Sequence, residues 1–442
     1  MAIITSNLKT NYMNEQSADA AIQHDVEQQV IDIHCHPALK TWLFPSHHVY
    51  DGVMPVGYDF SENCFVNIPN MQSGNVGVGV SVYYLPEKKI KTEQMKNVLM
   101  TLGMAAIKLL CDRLPIIVED TSSPSASFEQ IKNYIAVFEN DIAYAVNEIG
   151  GPTGNVAIAY GYADLLEKTS DGKTVFLHSI EGAHALGNAP IDAETLLANL
   201  EELFDLGVCQ ITVGHFFENI LVSSSGGIPP GLAAQLGYDP TKQVTYANGY
   251  NGDLAIQAID KMLDLGILID LVHCHEGAKQ MIFARNNARG ANKRPLLFAH
   301  TGVQEVALKH NPGMIPAFAA YLPTWDDIRQ IKDCNGLCGV IFMDYWLTGD
   351  DDHLPGIAAI IETIISIRDA PDSDGVKGTY DHIAIGSDMD GFTTIPEDLG
   401  GDRMMKDLVN AIAAIDGITS DDIDKICFAN YMRVLQAGWG KA

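Results

Sequence analysis

The chain has 442 residues, 47% of them apolar, which is ample for a large core. Its formal net charge of −28 repels polyanions, so neither nucleic acid nor an anionic membrane surface is an expected partner. Eight scattered cysteines suggest no disulfide framework, no apolar stretch has transmembrane length, and residues 1–29 lack the apolar segment of a secretory signal, so a cytoplasmic location is expected.

In chain order, residues 1–29 read as a polar arm and residues 30–442 as one domain. The first apolar run, Ile31-Asp32-Ile33, leads into His34-Cys35-His36. Residues i and i+2 of a strand share a face, so both imidazoles aim at one point while Cys35 turns away. Taken alone, such a pair is more often two ordinary histidines than a site. After it come a Pro/Gly/aromatic loop with His47 and His48, read as surface residues, and a second strand over residues 76–84. Residues 86–175 form a long, mostly helical insertion with periodic stretches at 96–110 and 128–144.

The strand pattern then resumes, and it keeps ending in the same residue types. Val175 to Ile180 runs into Glu181, Cys209 to Gly214 into His215, Gly266 to Val272 into His273, Pro295 to Ala299 into His300, and His382 to Ser387 into Asp388. One further apolar run covers residues 336–343. These short, nearly continuous apolar segments suit strands buried on both faces. Helical spacing at 193–206 and 254–265 alternates with them. Eight such strands with intervening helices predict a (β/α)8 TIM barrel with a helical insertion and C-terminal helices, whose chemistry sits at the carboxyl ends of the strands. Residues 218–251, irregular and rich in Gly, Ser and Pro, follow His215 and should lie over the barrel mouth. Residues 402–439 read as two helices that close the base or mediate association, and a homodimer stays open.

His34, His36, Glu181, His273, His300 and Asp388 together exceed the ligand set of one tetrahedral ion. Two ions sharing Glu181 as a bridge fit better, and two cations acidify water toward neutral pH. Asp388 is placed to accept that water's proton and return it to a leaving amine. His215 is the expected donor to an oxyanion. Asp390, His178, His184 and His275 are read as supporting polar residues, Asp32 as a buried layer residue, and Cys338 as core. No P-loop and no Gly-x-Ser-x-Gly elbow is present.

In sequence order these segments resemble the membrane (renal-type) dipeptidases, zinc hydrolases of the amidohydrolase superfamily. The resemblance runs from about Ile31 to Leu435 and rests on His34-Cys35-His36, Glu181-Gly182-Ala183-His184, Ile211 to His215, Asp270-Leu271-Val272-His273, Phe298-Ala299-His300 and Gly386 to Gly391. It implies a (β/α)8 barrel with two Zn2+ ions that hydrolyses dipeptides, often with a D-residue at the carboxyl side. It carries His34, His36, Glu181, His273 and His300 over as metal ligands and His215 as a residue contacting substrate. Two departures stand out. His36 replaces the family's Asp, which adds positive charge to the first metal site. The family's arginine for the dipeptide carboxylate, downstream of the His300-like ligand, is missing. Lys309, His310, Arg285 and Arg289 are the substitutes at hand, although lysine lacks arginine's bidentate fork. A dipeptidase is therefore the leading expectation. The alternatives are an amidohydrolase acting on another small amide, N-acyl amino acid or lactone, and a non-catalytic metal-binding protein.

Overall fold

Nine parallel strands form the sheet of this computed structural model, which describes residues 28–43, 47–51, 66–89, 118–314, 316–349, 356–391, 393, 396–399 and 404–440. They are β1 (Val30–Cys35), β2 (Val76–Tyr84), β3 (Val156–Ile158), β4 (Thr174–Glu181), β5 (Val208–Thr212), β6 (Leu268–Asp270), β7 (Leu296–Thr301), β8 (Leu337–Val340) and β9 (Ile383–Ile385). The pairings run β2-β1-β9-β8-β7-β6-β5-β4, and a β2–β4 pairing closes the ring. All eight expected strands are in it, with helices between them, which makes a (β/α)8 barrel.

β3 was not expected. It pairs with Thr174 to Phe176, on the part of β4 that precedes the β5 pairing at His178. The insertion that holds it contains the expected helix, Ala126–Tyr144, while residues 96–110 lie outside the described residues. The helices Ala193–Asp205 and Gly252–Leu265 also stand where their apolar spacing put them. Asp192 caps the first by accepting from Thr195 N at 2.8 Å, and Gly266 ends the second in the left-handed conformation. No helix among the described residues is long and apolar enough to cross a membrane.

Ile31, Ile33, Val78, Val80, Val175, Leu177, Leu297 and Leu337 form a buried cluster of alternating strand residues inside the barrel. The helix Asn430–Gly438 closes its base, with Tyr431, Leu435 and Trp439 packed into the same cluster. Tyr431 donates to Gln210 Oε1 at 2.8 Å, which satisfies a polar group in the barrel interior.

At the opposite end, two strands gain a residue. Asp32 pairs with Gly79 and Cys35 with Ser81, so β1 spends three steps where β2 spends two. β7 does the same against β8, from Phe298/Cys338 to Thr301/Val340. These are β-bulges, which shift the inward phase by one residue and leave backbone N–H groups off the ladder. Two buried aspartates accept from one such group each, His34 N and Ala299 N, and from neighbouring strand ends as well. Asp32 Oδ1 accepts from Ser387 N at 3.0 Å and His34 N at 3.2 Å, and Ser387 Oγ donates to its other oxygen. Asp270 Oδ1 accepts from Ala299 N at 2.9 Å and Val272 N at 3.2 Å, while Thr212 Oγ1 donates to Oδ2 at 2.5 Å. Burial raises both carboxyls to about 6 against these hydrogen bonds. The bulged Ala299 carbonyl has room only because β8 and the end of β9 carry glycine there. A Cβ at Gly339 or Gly386 would lie 2.1 or 1.8 Å from that oxygen.

Gly386→Ala should therefore cost about 1–3 kcal/mol through overpacking, read as a lowered thermal midpoint. Asp270→Ala leaves three buried donors without an acceptor, at about 1–3 kcal/mol each, and should lower the midpoint further than Asp270→Asn, which keeps an oxygen for Ala299 N. Equal midpoints for the two Asp270 variants would show that this carboxylate does not hold the bulge.

Candidate active site

Above the bulges, six strand ends deliver their polar residues to one cavity. Glu181 ends β4 at its centre. Its oxygens lie 3.4 Å from His34 Nε2, 3.5 Å from His300 Nε2, 3.7 Å from His36 Nε2, and 3.9 Å from both His215 Nε2 and His273 Nε2. All five rings and Glu181 are buried. Asp388 stands at the rim with its side chain 13% exposed, Oδ1 being 3.0 Å from His36 Nε2 and 3.7 Å from His34 Nε2. The structure thus brings together His34, His36, Glu181, His215, His273, His300 and Asp388.

Backbone strain helps to aim them. His273 (φ 62°), Asp388 (φ 57°) and Asp390 (φ 67°) occupy the left-handed region that non-glycine residues rarely adopt. Gly391 is needed beside them, because a Cβ there would come within 2.5 Å of Asp388 Oδ1 and 2.8 Å of the His36 ring. Asp390 is held from behind: Lys40 Nζ donates to its Oδ2 at 2.5 Å and Val66 N to the same oxygen at 2.8 Å.

Residues 218–251 cover the mouth as expected. Ser225 N donates to the His273 carbonyl at 2.8 Å. His273 Nδ1 donates to the Gly226 carbonyl at 2.6 Å, which fixes the tautomer and leaves the Nε2 lone pair facing the cavity. Trp346 Nε1 donates to the Gly227 carbonyl at 3.0 Å, and its ring lies 5.1 Å from His273 and 5.7 Å from His300. Phe216 packs 4.0 Å from the His215 ring. On the other side of His215, Nδ1 donates to Glu87 Oε1 at 2.6 Å.

The electrostatics follow from this crowding. Burial disfavours the Glu181 charge, but His215 and His34 beside it win and hold its carboxyl well below the usual range. Burial and His215 push His273 down to about 3, and burial with His34 pushes His300 well below its ordinary value. Burial opposes the charge on His34 too, but Glu181 overcomes it and raises that ring. Glu87 is held at about 2 by His215 against its own burial.

Other readings fare differently. His178 bonds Tyr83 at 2.7 Å, His184 donates to the Leu85 carbonyl at 2.8 Å, and His275 accepts from Gly277 N at the start of the helix Glu276–Asn287, so all three are supporting groups. His48 is partly exposed and bonded to Asp141, whereas His47 is buried, and burial with Lys40 nearby lowers it to about 4, so its reading as a surface residue is corrected. The structure does not bring Lys309 or Arg285 to the cluster. Lys309 is 69% exposed and paired with Glu362 at 2.5 Å, and Arg285 is 43% exposed and paired with Asp260. Both extend from helices outside the barrel, where acids of the adjacent helices hold them. Sequence reasoning missed Glu87, Trp346, the Gly226 carbonyl and the bulge-holding role of Asp270. Only Glu87 left a signal, an acid just beyond the end of a strand.

The residues present fit divalent cations. Both ring nitrogens of His34 and Nδ1 of His36 and His300 are buried without a hydrogen-bond partner among the described residues. His273 Nε2 and His300 Nε2 face each other at 3.3 Å. Candidate donor atoms group within 4.8 Å as His34/His36/Glu181, as Glu181/His273/His300, and as His34/Asp270/His300. The last set is weaker, because Asp270 already serves the bulge.

Residues 20–438 match the family described as membrane dipeptidase (peptidase family M19). Dipeptidase verJ of Clonostachys rogersoniana is 22% identical over 282 residues, covering 64% of this chain and 60% of that protein. An uncharacterised dipeptidase of Schizosaccharomyces pombe is 25% identical over 265 residues, or 60% of this chain and 53% of its own. The chain thus spans less than two thirds of the curated relatives it matches. A metallopeptidase of Rhodobacter sphaeroides, liganded with a phosphinate mimic of the dipeptide L-Ala-D-Ala, aligns with a TM-score of 0.62 and 18% identity over 93% of this chain and 99% of that one. The probable dipeptidase PvdM of Pseudomonas aeruginosa gives 0.61 and 13% over 94% and 96%. At such identities these structures speak for the fold, and the matched residues for descent: the chain belongs to the membrane dipeptidase family, peptidase family M19.

Proposed function

We propose that this chain is a dipeptidase that holds two zinc ions across Glu181, with His34 and His36 on one side and His273 and His300 on the other. The observation that carries this reading is the shared carboxylate: Glu181 belongs to two donor sets whose remaining members are imidazoles. Bound there, the ions would acidify a water and polarise the scissile carbonyl.

The chain's own residues do the rest. Asp388 Oδ1, at the rim and directed toward the His36 side, accepts a proton from the attacking water and returns it to the leaving amine. His215 Nε2 faces the same cavity and donates to the carbonyl oxygen as charge develops on it. Trp346 and Phe216 wall the cavity with apolar surface and exclude bulk water, which strengthens each of these interactions. The surface positions of Lys309 and Arg285 favour keeping a second reading, in which the substrate is an N-acyl amino acid, lactone or other small amide. Turnover of dipeptides, with competitive inhibition by a phosphinate dipeptide mimic and none of the other substrates hydrolysed, decides for the first.

Asp388→Asn should lower kcat by about 100-fold or more while metal content stays near that of wild type. Glu181→Gln should instead lose bound metal, measured by elemental analysis, and activity with it. Chelation should abolish turnover and lower the thermal midpoint, and added zinc should restore both, because an ion that binds only the folded state stabilises it by mass action. Full activity in exhaustively chelated enzyme would remove the metal from the reaction.

A further inference from the structure

β2 contributes no residue to the metal cluster, yet the loop that follows it places an acid against the site. Glu87 is only 3% exposed. Burying a carboxylate is costly unless hydrogen bonds or a cation meet it. Among the described residues neither Lys nor Arg meets this one. Its Oε1 accepts from His215 Nδ1 at 2.6 Å and its Oε2 from the Tyr84 hydroxyl at 2.6 Å. The Tyr84 ring also lies 4.4 Å from the His215 ring, so one tyrosine supports both partners. The loop itself is pinned where His184 Nε2 donates to the Leu85 carbonyl at 2.8 Å.

We propose that Glu87 is a positioning residue for His215, committing Nδ1–H to its own carboxylate so that Nε2 is the ring atom presented to the substrate. This rests on the dipeptidase reading of the site. The arrangement follows the logic of a carboxylate behind a catalytic imidazole: it fixes the ring's rotation and stabilises positive charge on it. With its Nδ1 proton spent on Glu87, a neutral ring has only a lone pair at Nε2, so the ring donates there as the imidazolium whose charge Glu87 offsets; Nε2 lies 3.9 Å from Glu181 Oε2 and therefore inside the cavity. Tyr84 keeps the second Glu87 oxygen from turning to other donors. A Glu87 that merely anchored its loop would do so equally well as a neutral glutamine. One that supports a developing charge would not.

The test compares metal-loaded wild type with Glu87→Gln and Tyr84→Phe. Glu87→Gln should keep its metal content and lose about 10- to 100-fold in kcat with KM changed by less than about threefold. Its affinity for a phosphinate dipeptide mimic, which carries an anion where the oxyanion forms, should fall by a similar factor. Tyr84→Phe, which leaves the Glu87–His215 contact in place, should fall less on both measures. The unmutated protein also gives a readout that does not depend on activity. Enzyme labelled with 15N-histidine should show a strongly deshielded proton on an imidazole Nδ1, and this signal should be missing from His215→Asn. A folded, metal-loaded Glu87→Gln with wild-type kcat and phosphinate affinity overturns the proposal, as does absence of the deshielded proton from wild type. Wild-type enzyme that turns over no dipeptide removes the dipeptidase reading instead, and the imidazole proton then decides the pairing alone.

Discussion

Everything at the mouth of this barrel answers to one buried carboxylate. Glu181 has five imidazole nitrogens within 3.9 Å and almost no solvent. Protons alone satisfy such a cluster poorly. Burial and the neighbouring rings drive His273 and His300 toward the neutral form, and their Nε2 atoms meet at 3.3 Å, where at most one of the two carries a proton. A carboxylate can bind through both oxygens, and neutral imidazoles are good ligands for zinc-like ions, so cations relieve a frustration that proton placement cannot. This is the physical reason the arrangement reads as a metal site and not as a polar core network: a core network would have paired the ring nitrogens of His34, which have no hydrogen-bond partner among the described residues.

Convergence of that kind cannot be built from regular strands alone. In β1 the inward series Ile31, Ile33 and the ligands His34, His36 are out of phase by one residue, and the bulge supplies the missing step. In β7 the same device brings in His300 directly after the inward Ala299. Each bulge gives up ladder hydrogen bonds, and an aspartate takes up one of its N–H groups, Asp32 that of His34 and Asp270 that of Ala299, while the same oxygens also accept from Ser387 N beyond β9 and Val272 N beyond β6. Side-chain carboxylates thus do the work of backbone carbonyls where the backbone has been bent for chemistry. Local regularity is lost at the site and compensated immediately beneath it.

This also explains which features could be read from the residues. Strand faces, strand ends and the amphipathic helices are periodic signals, so the barrel and the group formed by His34, His36, Glu181, His215, His273, His300 and Asp388 were visible as a pattern. His34 and His36 reach one cavity as the i, i+2 argument expects, although the register shift between Asp32 and Cys35 spans His34. What periodicity does not carry is the partner of a side chain on another element. Glu87 and His215 are far apart in the chain and meet only because β2 and β5 both flank β4. Lys309 is a candidate by its place after the His300-like ligand and Arg285 as a basic residue from another segment, but nearby acids, Glu362 and Asp260, hold their heads at the surface. β3 has three residues, too few for alternation to register.

The loop over the mouth joins these points to catalysis. Gly226 and Gly227 adopt positive φ, and the two carbonyls hold His273 Nδ1 and Trp346 Nε1. A side chain at Gly227 would strike both partners, its Cβ lying 2.5 Å from the Trp346 ring and 3.1 Å from the His273 ring. The same glycine pair that permits the turn therefore lets the loop backbone approach a metal-ligand candidate and the apolar wall together. His273 is itself in a left-handed conformation that costs of order 1–3 kcal/mol. Strain there is tolerable because the loop, the bulge and the cluster all constrain the same residue. In a site assembled this way the hydrogen bonds are aimed in advance and need no reorganisation when charge develops.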